Sequence, residues 1–212
     1  MCGKISIYNG NSFCTSCKFN MPYTNHFEVK DNAASLKFWG KFPCEYAASY
    51  LNFYSYSNVK YMMHSIKYQG RKDIATKFGY LAGLKALDSG KYNNIDLIVP
   101  IPLHKLKESK RGYNQSQKIA IGIAEVLGKP INTTALIKDK QTPSQTKKGR
   151  LERVQNVMKT FKNIGKSEIE GRHILLIDDV LTTGATIEAA AIKLLESRDV
   201  KLSVLTVCIA RN

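Results

Sequence analysis

At 212 residues, 43% hydrophobic and 23% charged, the chain has the make-up of one soluble globular domain with a small appendage and is too short for two full domains. No stretch approaches the roughly 20 apolar residues of a membrane span, and the first residues are too polar, and too soon interrupted by Asn9 and Asn11, to read as a signal peptide, so a cytoplasmic location is expected. The formal charge of +15 points to phosphate-rich partners, either nucleic acid or a polyphosphate metabolite, and five irregularly spaced cysteines argue against a disulfide framework.

Residues 1–45 hold Cys2, Cys14 and Cys17, the only tryptophan (Trp39) and little periodicity, and read as a small loop-rich module in front of a main domain spanning 46–212. Residues 46–56, rich in aromatic and small side chains, suggest a strand or two. Helices are predicted over 59–67 and 73–87, the second with Ile74, Phe78, Leu81 and Leu84 at helical intervals. The apolar run 95–101, bounded by Asn93-Asn94 and Pro102, fits a buried parallel strand. A helix over 116–127 ends at Gly128-Lys129-Pro130. Short strands at 134–137 and 173–177, a helix at 188–196 and a strand at 201–210 complete an alternation that implies an α/β domain with a mostly parallel sheet.

The strongest signal is the run 173–186, His-Ile-Leu-Leu-Ile-Asp-Asp-Val-Leu-Thr-Thr-Gly-Ala-Thr. An apolar strand leads into Asp178 and Asp179, then a hydroxyl-rich turn, then a helix. In an open α/β sheet, ligands bind beyond the carboxyl ends of the strands. Residues 182–186 can wrap a phosphate with backbone N–H groups and hydroxyls at the positive end of the following helix, with Gly184 permitting close approach. The plainer alternative is a strand end followed by a capped helix, and a lone Asp-Asp would favour it.

Residues 177–186 resemble the binding signature for phosphoribosyl pyrophosphate (PRPP) of type I phosphoribosyltransferases. The chain as a whole resembles the ComF branch, which is associated with natural competence: a cysteine module in front, Val-Pro-Ile-Pro-Leu-His at 99–104, Lys-Arg-Gly-Tyr-Asn-Gln-Ser at 110–116, Ser-Gln-Thr at 144–146, residues 150–156, and then the signature. The resemblance implies a type I phosphoribosyltransferase fold and a PRPP site formed by Ile177, Asp178, Asp179, Leu181, Thr182, Thr183, Gly184, Ala185 and Thr186, with Asp178 and Asp179 serving the ribose hydroxyls directly or through Mg²⁺. It also implies that Pro102, Leu103 and His104 lie in the loop that cradles pyrophosphate. Acceptor specificity is then expected from a variable hood, made of the N-terminal module and residues 36–70.

Residues 103–118 and 138–153 together hold eleven basic and three acidic residues, a net +8 of the +15. That concentration suits a Mg²⁺–pyrophosphate group whose departure needs charge neutralisation. Arg111 is the best single candidate, because its fork binds two oxygens at once. His104 could serve as an acid or base, although a lone histidine is more often structural. No catalytic triad is apparent, and positioning of an acceptor opposite the leaving pyrophosphate would suffice.

Cys14-Thr15-Ser16-Cys17 presents two thiolates on a tight turn, half of a tetrahedral zinc site. By resemblance Cys2 is the last position of a first C-x-x-C pair whose other cysteine would fall two residues before Met1. Either the natural start lies upstream, or a structural zinc on Cys2, Cys14 and Cys17 takes another fourth ligand such as Cys44 or water. Two functions follow: transfer of a phosphoribosyl group from PRPP to an acceptor, or a non-enzymatic factor that senses PRPP or a nucleotide and holds single-stranded DNA beside the competence machinery. Tyr113 is the only aromatic residue in the two basic segments, which favours a phosphate pocket over a long stacking track.

Overall fold

The structure, a computed structural model, describes residues 15–139 and 160–211. In chain order these form α1 (Thr15–Phe19), a 3-10 turn (Ser35–Lys37), β1 (Ala47–Phe53), α2 (Asn58–Tyr68), α3 (Lys72–Asp88), β2 (Leu97–Pro100), α4 (Lys105–Arg111), α5 (Gln115–Leu127), β3 (Leu136–Lys138), β4 (Phe161–Asn163), α6 (Lys166–Ile169), β5 (His173–Leu181), α7 (Ala185–Leu194) and β6 (Lys201–Ala210). The main sheet is wholly parallel, in the order β1-β6-β5-β2. β3 and β4 form a separate antiparallel pair.

The apolar runs in β5 and β6 are continuous because both faces of the sheet are covered. One face carries α2, α3 and α5, whose Met62, Met63, Ile66, Phe78, Ala82, Ile119 and Ile123 meet Leu175, Ile177 and Leu205. The other carries α7 and the β3–β4 pair, where Ile187, Ala190, Leu194, Leu136 and Phe161 meet Ile174, Leu176 and Val204. Both edges are managed. Residues 22–24 pair with β1, Asn52 N–H donating to Pro22 O at 2.7 Å. Pro100 closes the edge strand β2, where its missing N–H costs no ladder bond.

Part of the segment assigned above to an N-terminal module is built into these cores. Met21 and Phe27 lie in the first cluster, and Ala34, Phe38 and Phe42 in the second. Helices α3 and α5 meet at backbone distance: a Cβ at Gly79 would stand 2.0 Å from Ile119 O, and one at Gly122 2.0 Å from Thr76 O. This contact sets the position of the first turn of α5, which faces the site. The predicted elements are recovered with shifted ends. The chief difference is β5, which continues through the acidic pair to Leu181, so Asp178 and Asp179 sit within the strand.

Candidate functional site

β2 ends at Pro100, whereas its neighbour β5 runs four residues past the last pairing, Pro100↔Ile177. The notch opens a cleft of about 510 Å³ outside the carboxyl ends of both strands, the position such sheets favour for ligands. Leu175, Ile177 and also Val180 belong to or pack on one core, while Ile174, Leu176 and Leu181 belong to the other. The two-residue alternation therefore breaks at the carboxylates. Adjacent residues would normally point to opposite faces; here both Asp178 and Asp179 line the cleft.

Asp178 Oδ1 accepts from Ser116 Oγ at 3.0 Å and from Asp179 N–H at 2.9 Å. Burial, reinforced by the charge of Asp179, pushes its carboxyl well above the usual carboxylate range, against the opposing pull of those hydrogen bonds and of Lys67. Asp179 is paired with Lys67 Nζ at 3.0 Å, the two side chains 14% and 25% exposed. Ser116 is held by the cap of α5: Asn114 Oδ1 accepts from Ser116 N–H at 3.0 Å, while Asn114 Nδ2 donates to Ile101 O at 3.0 Å. That one side chain ties the start of α5 to the loop leaving β2.

Thr182 and Thr183 are exposed at the turn and Gly184 is buried at φ 83°. The left-handed conformation calls for glycine, and so does space, because a Cβ there would meet Phe38 Cε1 at 3.1 Å. Among the described residues no N-cap side chain bonds the start of α7; Thr183 Oγ1 accepts from Ala185 N–H only at a long 3.4 Å. The first-turn N–H groups thus face a hollow formed by residues 180–187 and Asp178.

Cations enter the cleft from three further elements: Lys67 on α2, Lys107 and Arg111 on α4, and Lys138 on β3. Arg111 donates to Gln115 Oε1 at 2.9 Å and lies over the Tyr68 ring at 5.6 Å. Burial, then the charge of Lys107, pulls the pKa of Lys138 down, while Asp178 works the other way. Tyr113 is buried, its hydroxyl donating to Ile66 O at the last turn of α2.

Of the residues singled out from sequence, Pro102, Leu103, Arg111, Asp178, Asp179, Thr182 and Thr186 line the cleft, and Leu181, Thr183, Gly184 and Ala185 form the adjoining hollow. Ile177 is fully buried in the core beneath them. His104 caps α4, Nδ1 accepting from Leu106 N–H at 3.2 Å. Cys17 lies on α1, whereas Cys2, Cys14 and most of the second basic segment, 140–153, lie outside the described residues. Among the described residues no three metal-ligating side chains come together. Cys44, named above as an alternative fourth ligand, is partly buried, its Sγ lies 3.4 Å from Tyr46 O, and burial pushes its thiol up to about 12. Sequence reasoning passed over Lys67, Tyr68 and Ser116, of which only Ser116 lay in a quoted motif, and it took Lys107 only as one of the basic residues of 103–118.

The phosphoribosyl transferase domain family matches residues 105–212, just over half of the chain. The chain belongs to the phosphoribosyltransferase superfamily. Within it, the chain belongs to the ComF family. Competence protein ComFC of Bacillus subtilis is 31% identical over 149 residues, 68% of this chain and 56% of that protein. Competence protein F of Haemophilus influenzae is 28% identical over 130 residues, 59% and 57% of the two chains. DNA utilization protein YhgH of Escherichia coli is 27% identical over 150 residues, 69% and 65%. The chain thus spans less than two thirds of the length of these relatives. Among solved structures, a glutamine PRPP amidotransferase from B. subtilis, complexed with ADP and GMP, superposes with a TM-score of 0.44 at 19% identity over 66% of this chain and 30% of that one. The parallel sheet flanked by helices agrees with the phosphoribosyltransferase assignment, and no helix of the described residues is long and apolar enough to cross a membrane.

Proposed function

We propose that this cleft binds PRPP together with Mg²⁺ and that the protein transfers the phosphoribosyl group to an acceptor. One observation carries the reading: a single cleft joins an acidic strand end, an uncapped helix start behind a threonine-glycine turn, and cations from three separate elements. The 5'-phosphate belongs in the hollow of residues 182–186, the ribose hydroxyls on Asp178 and Asp179, and the diphosphate toward Lys107, Arg111 and Lys138. Transfer breaks the bond from C1 to the diphosphate as the acceptor nucleophile bonds to C1, and the basic groups offset the charge on the departing oxygens.

The acidic pair suits Mg²⁺, being two adjacent carboxyl groups of which Asp179 already holds a cation in the ammonium of Lys67. When bound with the diphosphate, the ion supplies further charge neutralisation. A structural zinc on Cys2, Cys14 and Cys17 and a cytoplasmic location belong to the same proposal. Titration calorimetry with PRPP, ribose 5-phosphate and nucleoside monophosphates, with and without Mg²⁺, tests it. PRPP with Mg²⁺ should bind tightest, and no heat from any of these ligands would overturn the reading.

A second reading, association with single-stranded DNA, has its own observation. Tyr61 and Tyr68 stand exposed on α2 beside Lys60 and Lys67, so the aromatic–cation interleaving absent from the basic segments occurs on the helix above the cleft. The names of the relatives, competence and DNA utilization proteins, agree with it. Oligonucleotide affinity that falls steeply with salt and drops in Tyr68→Ala would support it.

A further inference from the structure

The proposed site leaves Lys67 without a role, yet its ammonium contacts the acidic pair directly. α2 buries Val59, Met62, Met63 and Ile66 on one side, which turns Lys67 toward the cleft, where its Nζ meets Asp179 Oδ2 at 3.0 Å. The last turn of α2 is fastened from below by the hydroxyl of Tyr113 on Ile66 O. Tyr113 belongs to the same short stretch as Arg111 and Ser116, so α2 is joined to the basic loop and, through Ser116, to Asp178. Lys67 therefore pairs with the carboxylate that a ribose needs.

We propose that Lys67 is a counter-ion that changes partners, held by Asp179 while the cleft is empty and passing to the anionic group on C1 of the bound ribose when the sugar hydroxyls take over Asp179. The inference rests on the PRPP reading and deepens it. A ribose whose hydroxyls reach Asp179 carries its C1 substituent within the swing of a lysine side chain whose Nζ starts 3.0 Å from that carboxylate. The exchange keeps Lys67 paired with an anion before and after binding and gives Asp179 hydrogen bonds from the sugar hydroxyls in place of the ammonium, whereas leaving either group buried without a partner is costly. A ligand with no anion on C1 displaces Lys67 from Asp179 and returns nothing to it. Lys67 thus selects for the diphosphate-bearing ligand, a discrimination between two states of one side chain.

The test compares Lys67→Met and Lys67→Arg with the wild type by titration calorimetry, using PRPP and ribose 5-phosphate in Mg²⁺. Lys67→Met should weaken PRPP at least tenfold while leaving ribose 5-phosphate unchanged or up to about fivefold tighter, because Asp179 is then released. Lys67→Arg should keep PRPP within about threefold of the wild type. Equal weakening of both ligands would make Lys67 a structural residue and overturn the proposal, and so would unchanged PRPP affinity. A melting temperature within a few degrees of the wild type certifies each variant, and Lys67→Gln replaces Lys67→Met if the latter fails that check. Failure of the underlying reading appears elsewhere, as a wild-type protein that binds neither ligand.

Discussion

Asp178→Asn should make the empty protein more stable in alkaline buffer while abolishing its ligand binding. Asp178 is held within β5 and its carboxyl is pushed up to about 7, first by burial and then by the charge of Asp179. An unfolded aspartate releases its proton near 3.8. Between those values the folded chain binds more protons than the unfolded one, so the contribution of this group to stability falls as the pH rises from about 4 to about 7, and the penalty is fully present above that. At about 1.4 kcal/mol per pKa unit the ceiling is roughly 4 kcal/mol, and sharing of the titration with Asp179 lowers the expected effect to about 2 kcal/mol. Asparagine keeps an oxygen for the Ser116 hydroxyl and the Asp179 N–H. Burial lowers the pKa of both His26 and His173. Their contribution has the opposite sign, rising with pH up to about 6.5, but it is common to both proteins and cancels in the difference. Urea unfolding of wild type and variant at pH 4.5 and pH 8 should show the variant gaining about 2 kcal/mol on the wild type across that interval. A pH-independent difference would refute the argument, because it would mean that Asp178 is ionised in the fold at both values.

Arg111→Ala should weaken PRPP by roughly tenfold to a hundredfold, the worth of a charge-assisted contact, and leave ribose 5-phosphate nearly unchanged; calorimetry with both ligands at two salt concentrations checks it. Gly122→Ala should lower stability by about 3 kcal/mol and the melting temperature by roughly 6–12 °C in a thermal scan, since the new methyl would stand 2.0 Å from Thr76 O and 2.5 Å from Tyr80 N. Metal analysis should find up to one equivalent of zinc in the wild type and little in Cys14→Ser or Cys17→Ser, whereas unchanged zinc in both variants would exclude the cysteine site.

The sequence carried those parts of the site that depend on short-range pattern. The apolar run into Asp178-Asp179, the threonine-glycine turn and the helix after it are contiguous, and the structure reproduces them with β5 longer by four residues. What stayed hidden depends on register between distant elements. Lys67 falls on a helix that periodicity finds correctly, but nothing local says that its polar face looks onto β5. Lys138 sits on a three-residue strand whose place is set by pairing with Phe161–Asn163. That both carboxylates share one cleft could not be read from a pattern of period two, which places neighbours on opposite faces. Tyr113, the one aromatic residue of the two basic segments, likewise takes its role from a distant element: it is buried and serves as a tie to Ile66.

The residues before β1 bear on the site more closely than their composition suggested. Phe38 lies against Gly184, and Lys41 pairs with Glu188 in the first turn of α7 at 3.4 Å, so residues 33–44 brace the hollow of residues 180–187 from behind. Glycine at 184 is then favoured by its left-handed backbone angle, and a side chain there would also crowd the ring beside it. The turn's shape is imposed from outside the motif as well as within it. A conformation held from both sides has little freedom left to lose to an incoming anion, and preorganisation of this kind would favour the phosphate binding proposed for these N–H groups.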